Sequence, residues 1–335
     1  VALLHHEGFD GLTAFGSGIN LNEAGWVVGG SVATTPGRSG GLGQGIDTSS
    51  DQPTLAISTN TNTLTVAAAF KQDELGDRLL LGFGLGGNPQ CQLWCLADGK
   101  LRLYRGDSAG TVLGTTAAPA YVAGNWFHVQ LRVLVADSGT YDVRVADVSV
   151  LSGSADTQAE ASPGADLIYL GQADAVDDFY LLDSSGAINT TFLGDVKSVA
   201  VWPNADTAQI DFTRSAGSTS YTLVDDNAAL AGFDEDATYV QSNTSGHIDR
   251  YGFPDVGTGI TVLGVTAVLR ARKTDASAID LKNNMRLSGS NYSSAGQALG
   301  DDYTCHRYLY NASPATSAAW TLAEANAIED GPEVD

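Results

Sequence analysis

Apolar and polar residues alternate one for one along much of the chain from residue 64 onward, the period of a strand with one face against a core. Leu64, Val66, Ala68 and Phe70 share one face, as do Leu79, Leu81, Phe83 and Leu85, and again Phe127, Val129, Leu131, Val133 and Val135. These runs predict three half-buried strands. Shorter apolar runs at 101–105, 141–145, 166–170, 178–182 and 196–202 predict more of them. Between the runs stand Asp98-Gly99, Ala123-Gly124-Asn125, Ser138-Gly139 and Ser185-Gly186, residues that accept positive φ or bond their own backbone, as tight turns require. Many short strands with no helical period between them predict an antiparallel sandwich.

The pattern fades after Val201-Trp202-Pro203. Positions 204–232 are polar and broken, and the run from Arg214 to Ser220 has linker composition. The predicted organisation is a sandwich over 1–213, a linker over 214–232 and a smaller β-rich domain over 233–335, with strands at 238–242, 260–273, 279–287 and 303–310. Near the end, Thr321-Leu322-Ala323-Glu324 has the form of a capping box, Trp320 can pack on the first turn, and Gly331-Pro332 can end the helix. A helix over about 321–330 follows. The fold class expected is therefore all-β, two antiparallel β-sandwich modules with this one short helix. No internal repeat, heptad or low-complexity segment interrupts it.

Composition narrows the function. The 335 residues include 39 acidic and 17 basic side chains, a net charge of −22, and 39 glycines. Nucleic-acid partners need clustered cations that release counterions, so a broad phosphate-binding surface is excluded. Charged residues are only 17% against 43% apolar, which describes a chain that builds a core and not a disordered acidic tail. No apolar run approaches the roughly 20 residues that span a bilayer, and Val1-Ala2-Leu3-Leu4-His5-His6 lacks the basic and apolar parts of a signal peptide. No membrane insertion and ordinary cytoplasmic processing are expected. Cys91 and Cys95, four apart on one strand face, would lie about 13 Å from each other and cannot bridge. Without a third Cys or a His at ligand spacing they are expected to be reduced, half-buried strand residues.

Neither of the usual catalytic arrangements is present. The histidines His5, His6, His128, His247 and His306 have no Gly-x-Ser-x-Gly elbow to serve. His128 falls inside a strand on the face opposite Phe127 and Val129, and His306 and Cys305 are strand neighbours on opposite faces. The glutamates at 7, 23, 74, 160, 235, 324, 329 and 333 nowhere form the Glu-x-Asp-x-x-Glu run of sandwich glucanases, so no catalytic residue is expected. Asp clusters at 225–226, 234–236 and 301–302 read as solvated turns. Asp174, Asp177 and Asp178 are the candidates for calcium, an ion that takes six to eight loop oxygens, although no EF-hand-like loop accompanies them; no other cofactor is expected. The one basic concentration is Arg270, Arg272 and Lys273, with Arg286 and Arg307 on the same predicted unit. These cations are read as salt-bridge partners within the chain or at a contact between subunits. Four N-x-[ST] sequons, at Asn189, Asn243, Asn291 and Asn311, are read as chance.

With the strands placed, the opening Glu7-Gly8-Phe9-Asp10-Gly11, the strand from Trp126 to Val133 and the run from Asp177 through Val196 resemble a concanavalin A-like (laminin-G-like) lectin and glucanase sandwich. The version they resemble most is found in structural proteins of tailed bacteriophages. The stretches 234–240, 268–273 and 319–321 are similar to the module that follows it there. The resemblance implies a virion component and not an enzyme: a capsid decoration protein or a tail-associated fibre or spike, located in the virion with other virion proteins as partners. The alternative is a carbohydrate-binding module that recognises a host glycan, and a divergent glycoside hydrolase ranks below both. Aromatics able to stack on sugar are Trp26, Trp94, Trp202, Tyr251 and Tyr292, each also a candidate for core or interface. Long strand edges that need covering predict a homo-oligomer, a trimer before other states.

Overall fold

The computed structural model describes residues 3–9, 14–15, 18–19, 21–29, 32–38, 44–59, 61–226, 233–276 and 278–335. Asp10 and Gly11 of the opening motif and positions 227–232 of the expected linker lie outside the described residues. The chain divides into two compact units, Val1–Ser198 and Val199–Asp335. The division thus falls earlier than the polar stretch suggested. Ala205–Ile210 pairs with Asp249–Gly252, and Thr213–Arg214 pairs with Val240–Gln241. The Asp206 carboxylate accepts from the amides of Ser220 and Tyr221 at 2.8 and 2.6 Å. Linker-like composition over 214–221 here encodes side-chain-capped turns of the second unit.

The first unit is two antiparallel sheets. The larger, eight-stranded sheet runs Val148–Ala155, Gly139–Val145, Trp126–Leu134, Thr63–Lys71, Ala175–Asp183, Gln44–Asp47, Ala33–Pro36, with Leu3–Glu7 also on Ala175–Asp183. The smaller, seven-stranded sheet runs Thr111–Thr115, Leu101–Arg105, Asn88–Cys95, Arg78–Leu85, Leu167–Leu170, Thr54–Ala56, Trp26–Val27. Their inner faces share one core. Leu64, Val66, Phe70, Val129, Leu131 and Leu181 meet Leu81, Phe83, Leu93, Leu103 and Ile168 there.

Alternation located the central strand, but it is buried on both faces. Its outward residues Thr65, Ala67 and Ala69 are small and covered. The cover comes from the segment after Asp183: Leu193 N donates to Tyr180 Oη, Gly194 N to Gln130 Oε1, Arg132 Nη1 to Thr191 Oγ1, and Phe192 lies 4.0 Å under the Arg144 guanidinium. The strand expected at 196–202 is absent: this stretch is irregular backbone.

In the second unit a six-stranded sheet, Ala205–Ile210, Asp249–Gly252, Glu329–Val334, Asp280–Leu287, Ser290–Ser293, also takes Gln297–Ala298. A two-stranded sheet, Val265–Ala271 with Thr304–Tyr310, packs on it through Tyr308 Oη to Leu281 O and Tyr310 Oη to Asn283 Oδ1, both 2.5 Å. Met285, Leu287 and Trp320 form its core. The capping box at Thr321 and Glu324 is present, both reciprocal bonds made, but the helix is only Leu322–Ala325. Gly331-Pro332 does not end it, because both residues sit inside the strand Glu329–Val334. A Cβ at position 331 would lie 2.2 Å from the Asp249 carbonyl. The glycine is a close-approach position within a sheet. Among the described residues no helix is long and apolar enough to cross a membrane.

Candidate functional site

The acids expected to hold calcium are engaged with donors of the protein. Asp174 accepts from Asp73 N at 2.8 Å and Arg78 Nη1 at 3.3 Å. Asp177 accepts from Arg38 N at 2.8 Å and Asp178 N at 2.7 Å. Gly37 allows that approach, since a Cβ there would fall 2.8 Å from Asp177 Oδ2. Asp178 occupies a bulge at φ 53°, in the left-handed region that Asp tolerates better than most residues. Its Oδ1 accepts from Ser198 N at 2.7 Å, and Oδ2 lies 3.0 Å from Arg38 Nε, an ion pair rather than an aimed hydrogen bond. Burial pushes the Asp178 carboxyl up, against the pull of Ser198 N and Arg38. Arg38 also donates to Asp195 Oδ1 at 2.5 Å and Val196 O at 2.9 Å. A hard cation needs free oxygens. Here Asp178 fastens the covering segment through Ser198 N while Asp174 and Asp177 accept from other donors of the chain, and among the described residues no three His, Cys, Asp or Glu gather as a metal site.

His128 lies beneath that segment, 2% exposed, its ring 6.1 Å from Tyr180 and neither ring nitrogen hydrogen-bonded among the described residues. Burial, together with Arg38, lowers its pKa to about 4, although Asp195 and Asp147 pull the other way. The folded state holds the imidazole neutral, so the unfolded chain binds more protons between about pH 6.5 and 4 and stability falls with pH across that window. His128→Phe is expected to flatten this acid limb in urea titrations at pH 6.5, 5 and 4. An unchanged limb would mean that other groups produce it.

The basic cluster is paired within the chain. Arg270 Nη2 is 2.6 Å from Glu235 Oε1 and its guanidinium stacks 4.8 Å from Phe233. Arg272 Nη2 donates to both carboxylate oxygens of Asp236, at 2.8 and 3.0 Å, the guanidinium lies over Tyr303, and Lys273 reaches Asp301 at 3.9 Å. Of the two readings of these cations, the intrachain salt bridges are those the described structure contains. The strand thiols of Cys91 and Cys95 are free and buried, burial lifting Cys91 to about 12. His306 is buried and bonded to Thr304 and Gln297, away from the Cys305 face.

What the structure does assemble is a polar and aromatic strip on the outer face of the smaller sheet. Register places Val27, Thr54, Tyr169, Gly82, Gln92, Tyr104 and Val112 in one row across six strand pairs. Directly opposed residues share a face. The row is open at both ends, Val27 being 63% and Val112 50% exposed, whereas Gln92, Tyr104 and Tyr169 in its middle pack closely on their neighbours and are buried, at 4%, 8% and 8%. Its middle is flat because it lacks side chains: a Cβ at Gly84 would lie 2.8 Å from Tyr169 Cε2, and one at Gly82 3.3 Å from Tyr169 Cδ2. Tyr169 rests on those glycines and donates to Gly87 O at 3.0 Å. Beside the row stand half-buried Trp94 and Arg102, opposed across the strand pair. Trp94 packs edge-on to Tyr104 at 6.5 Å and donates from Nε1 to Gln92 Oε1 at 3.1 Å. Arg102 lies over Tyr104 and donates to Thr115 Oγ1 at 2.9 Å. The Gln92 amide nitrogen makes no hydrogen bond to a described residue and is not sealed from solvent.

Of the five stacking candidates, this strip uses only Trp94. Trp26 is 1% exposed in the core against Phe179, and Tyr251 is buried with its hydroxyl on Asp249. Tyr292 packs on the core of the second unit, and Trp202 is half-buried there. Gln92, Arg102, Tyr104 and Tyr169 were not anticipated from the sequence. The signal that marks them is Gly82 and Gly84, alternate glycines within a strand, where such residues flag close approach.

No protein-family model matches the chain, and no curated protein does. Among solved structures it is similar to a Caenorhabditis elegans galectin at 12% identity over 38% of this chain and 88% of that one, TM-score 0.29. A carbohydrate-binding module of Bacillus subtilis is similar at 11% identity over 48% of this chain and 96% of that one, TM-score 0.33. Trypanosoma rangeli sialidase shows 16% identity over 54% of this chain but 30% of its own, TM-score 0.35. None of the three bears on a phage origin.

Proposed function

We propose that the first unit is a non-catalytic carbohydrate-binding module that holds a neutral glycan on the outer face of its smaller sheet. The observation that carries this is the flat strip over Gly82 and Gly84, where Trp94, Tyr104 and Tyr169 adjoin Arg102 and the Gln92 amide, whose oxygen accepts from Trp94 while its nitrogen bonds no described residue. Sugar rings present apolar C–H faces and a rim of hydroxyls. Aromatic surfaces match the first, and forked N–H donors match the second. The polar groups of the strip are amide, phenol and guanidinium. Glycoside cleavage needs two carboxyl groups flanking the bond, one of them protonated, and the strip supplies neither. On the sequence resemblance alone, such a module would sit at the surface of a phage particle, among other virion proteins, facing a host glycan.

A glycan array probed with the full chain is expected to show saturable binding to a defined set of neutral oligosaccharides. Trp94→Ala is expected to weaken the strongest of these at least tenfold, equivalent to about 1.4 kcal/mol, while Trp202→Ala binds as the parent does. An empty array, or equal binding by Trp94→Ala, would refute the proposal.

A further inference from the structure

The second unit contains a cavity that the strip does not involve. Its volume is about 360 Å³, at the lower end of the roughly 300–1,000 Å³ of small-molecule sites. Gln209 enters from Ala205–Ile210, whose register shifts between Asp206 and Ile210. Arg250, Arg286 and Glu329 come from the three neighbouring strands, and Gly289 and Asn291 from the hairpin that turns at Gly289, φ 84°. Register explains the gathering, because Arg286 opposes Asn291 on one side and Glu329 on the other.

Charge is the unusual feature. Arg250 is 6% exposed, yet no carboxylate among the described residues pairs with it. Its Nη1 donates to the amide oxygens of Asn284, at 3.3 Å, and Asn291, and its buried Nε has no hydrogen-bond partner among the described residues. A buried guanidinium without a counter-ion is costly. Burial and the neighbouring Arg286 both lower the pKa of Arg250. Arg286 itself faces Glu329 at 3.3 Å. Among the lining residues two cations stand against one acid, inside a chain of net −22, with the Asp211 carboxylate outside the lining also acting on Arg250. That suits a monoanion, while Glu329 opposes a dianion. The neutral remainder, Gln209, Asn291 and the Gly289 backbone, suits hydroxyl groups.

We infer that this cavity binds a small hydroxylated carboxylate, a uronic acid sugar being the class that fits, with its carboxylate on Arg250 and Arg286. Calorimetric titration of the full chain carrying Trp94→Ala, which weakens the strip, with sodium glucuronate is expected to show saturable one-site binding, with glucose giving none at the same concentrations. Arg286→Gln, at a side chain 40% exposed, is expected to lose at least tenfold in affinity without loss of fold. Asn291→Asp would place a carboxylate against Arg250, and it is expected to raise the melting temperature while abolishing glucuronate binding. Glucose binding in that background as well as glucuronate, inorganic phosphate binding more tightly, no glucuronate binding at millimolar concentrations, or full affinity in Asn291→Asp would each overturn the inference. Because cavity and strip lie in different units, an empty glycan array leaves this result untouched, and the converse also holds.

Discussion

Arg38→Met is expected to cost the first unit about 3–5 kcal/mol, the usual penalty for removing one partner of a buried ion pair. The Arg38 side chain is 10% exposed and that of Asp178 1%. Without the guanidinium, Asp178 keeps only Ser198 N at 2.7 Å, in a place where burial already disfavours its charged form. Asp195 and the Val196 carbonyl lose their donor in the same step. The covering segment would then loosen over Ala67, Ala69 and His128. Hydrogen exchange of the strand Thr63–Lys71 during a urea titration measures the loss. Arg38→Met with Asp178→Asn should recover most of it, since the pair then leaves together. A single variant within 1 kcal/mol of the parent would show that the pair does not anchor the segment.

Asp330→Asn is expected to stabilise the second unit at pH 8, by on the order of 3 kcal/mol, and to leave it unchanged near pH 4. Burial raises the Asp330 carboxyl from 3.8 to about 7, and the Asn283 Nδ2 bond, at 2.8 Å, offsets only part of that. Its Oδ1 has no partner among the described residues. The sign follows from proton counts. Between about pH 4 and 7 the folded state retains a proton that the unfolded chain has released, so stability falls as pH rises and levels off above the folded pKa. An amide at this position has no charge to bury. Melting temperatures at pH 4.5 and 8 test it, and a parallel pH dependence in parent and variant would exclude Asp330 as the cause.

Strand positions were largely legible because alternation reports the core face directly. Leu101–Arg105 is found at its predicted bounds, and the strand around Leu64 within a residue or two. What alternation cannot report is a second cover. Thr65, Ala67 and Ala69 look like solvent-side residues, yet they are buried by a segment held through single side-chain bonds from Gln130, Tyr180 and Arg38. No local pattern encodes such contacts. Glycine was the residue most easily misjudged. Gly331 before a proline has the form of a helix stop, but it serves the close passage of the Asp249 carbonyl. Gly82 and Gly84 were passed over, although they shape the strip under Tyr169. Arg250 was also missed, since a buried cation is recognised by the absence of a partner and a sequence does not display absences.

The order of pairing in the larger sheet governs how the chain can be made. Leu3–Glu7 and Thr63–Lys71 both pair with Ala175–Asp183, so some of the earliest residues wait for some of the latest in that unit. The meander Arg78–Leu85, Asn88–Cys95, Leu101–Arg105, Thr111–Thr115 pairs neighbour to neighbour and can form while synthesis continues, with only the outer edge of Arg78–Leu85 waiting for Leu167–Leu170. Non-local pairing of this kind is slow and leaves apolar strands uncovered for longer. A nascent chain can pair Thr63–Lys71 with Trp126–Leu134 early, but the other edge of that strand stays open until residue 183 has left the ribosome. The excess of acidic side chains, mutually repulsive at every stage, then acts as an internal solubiliser before any ligand is met.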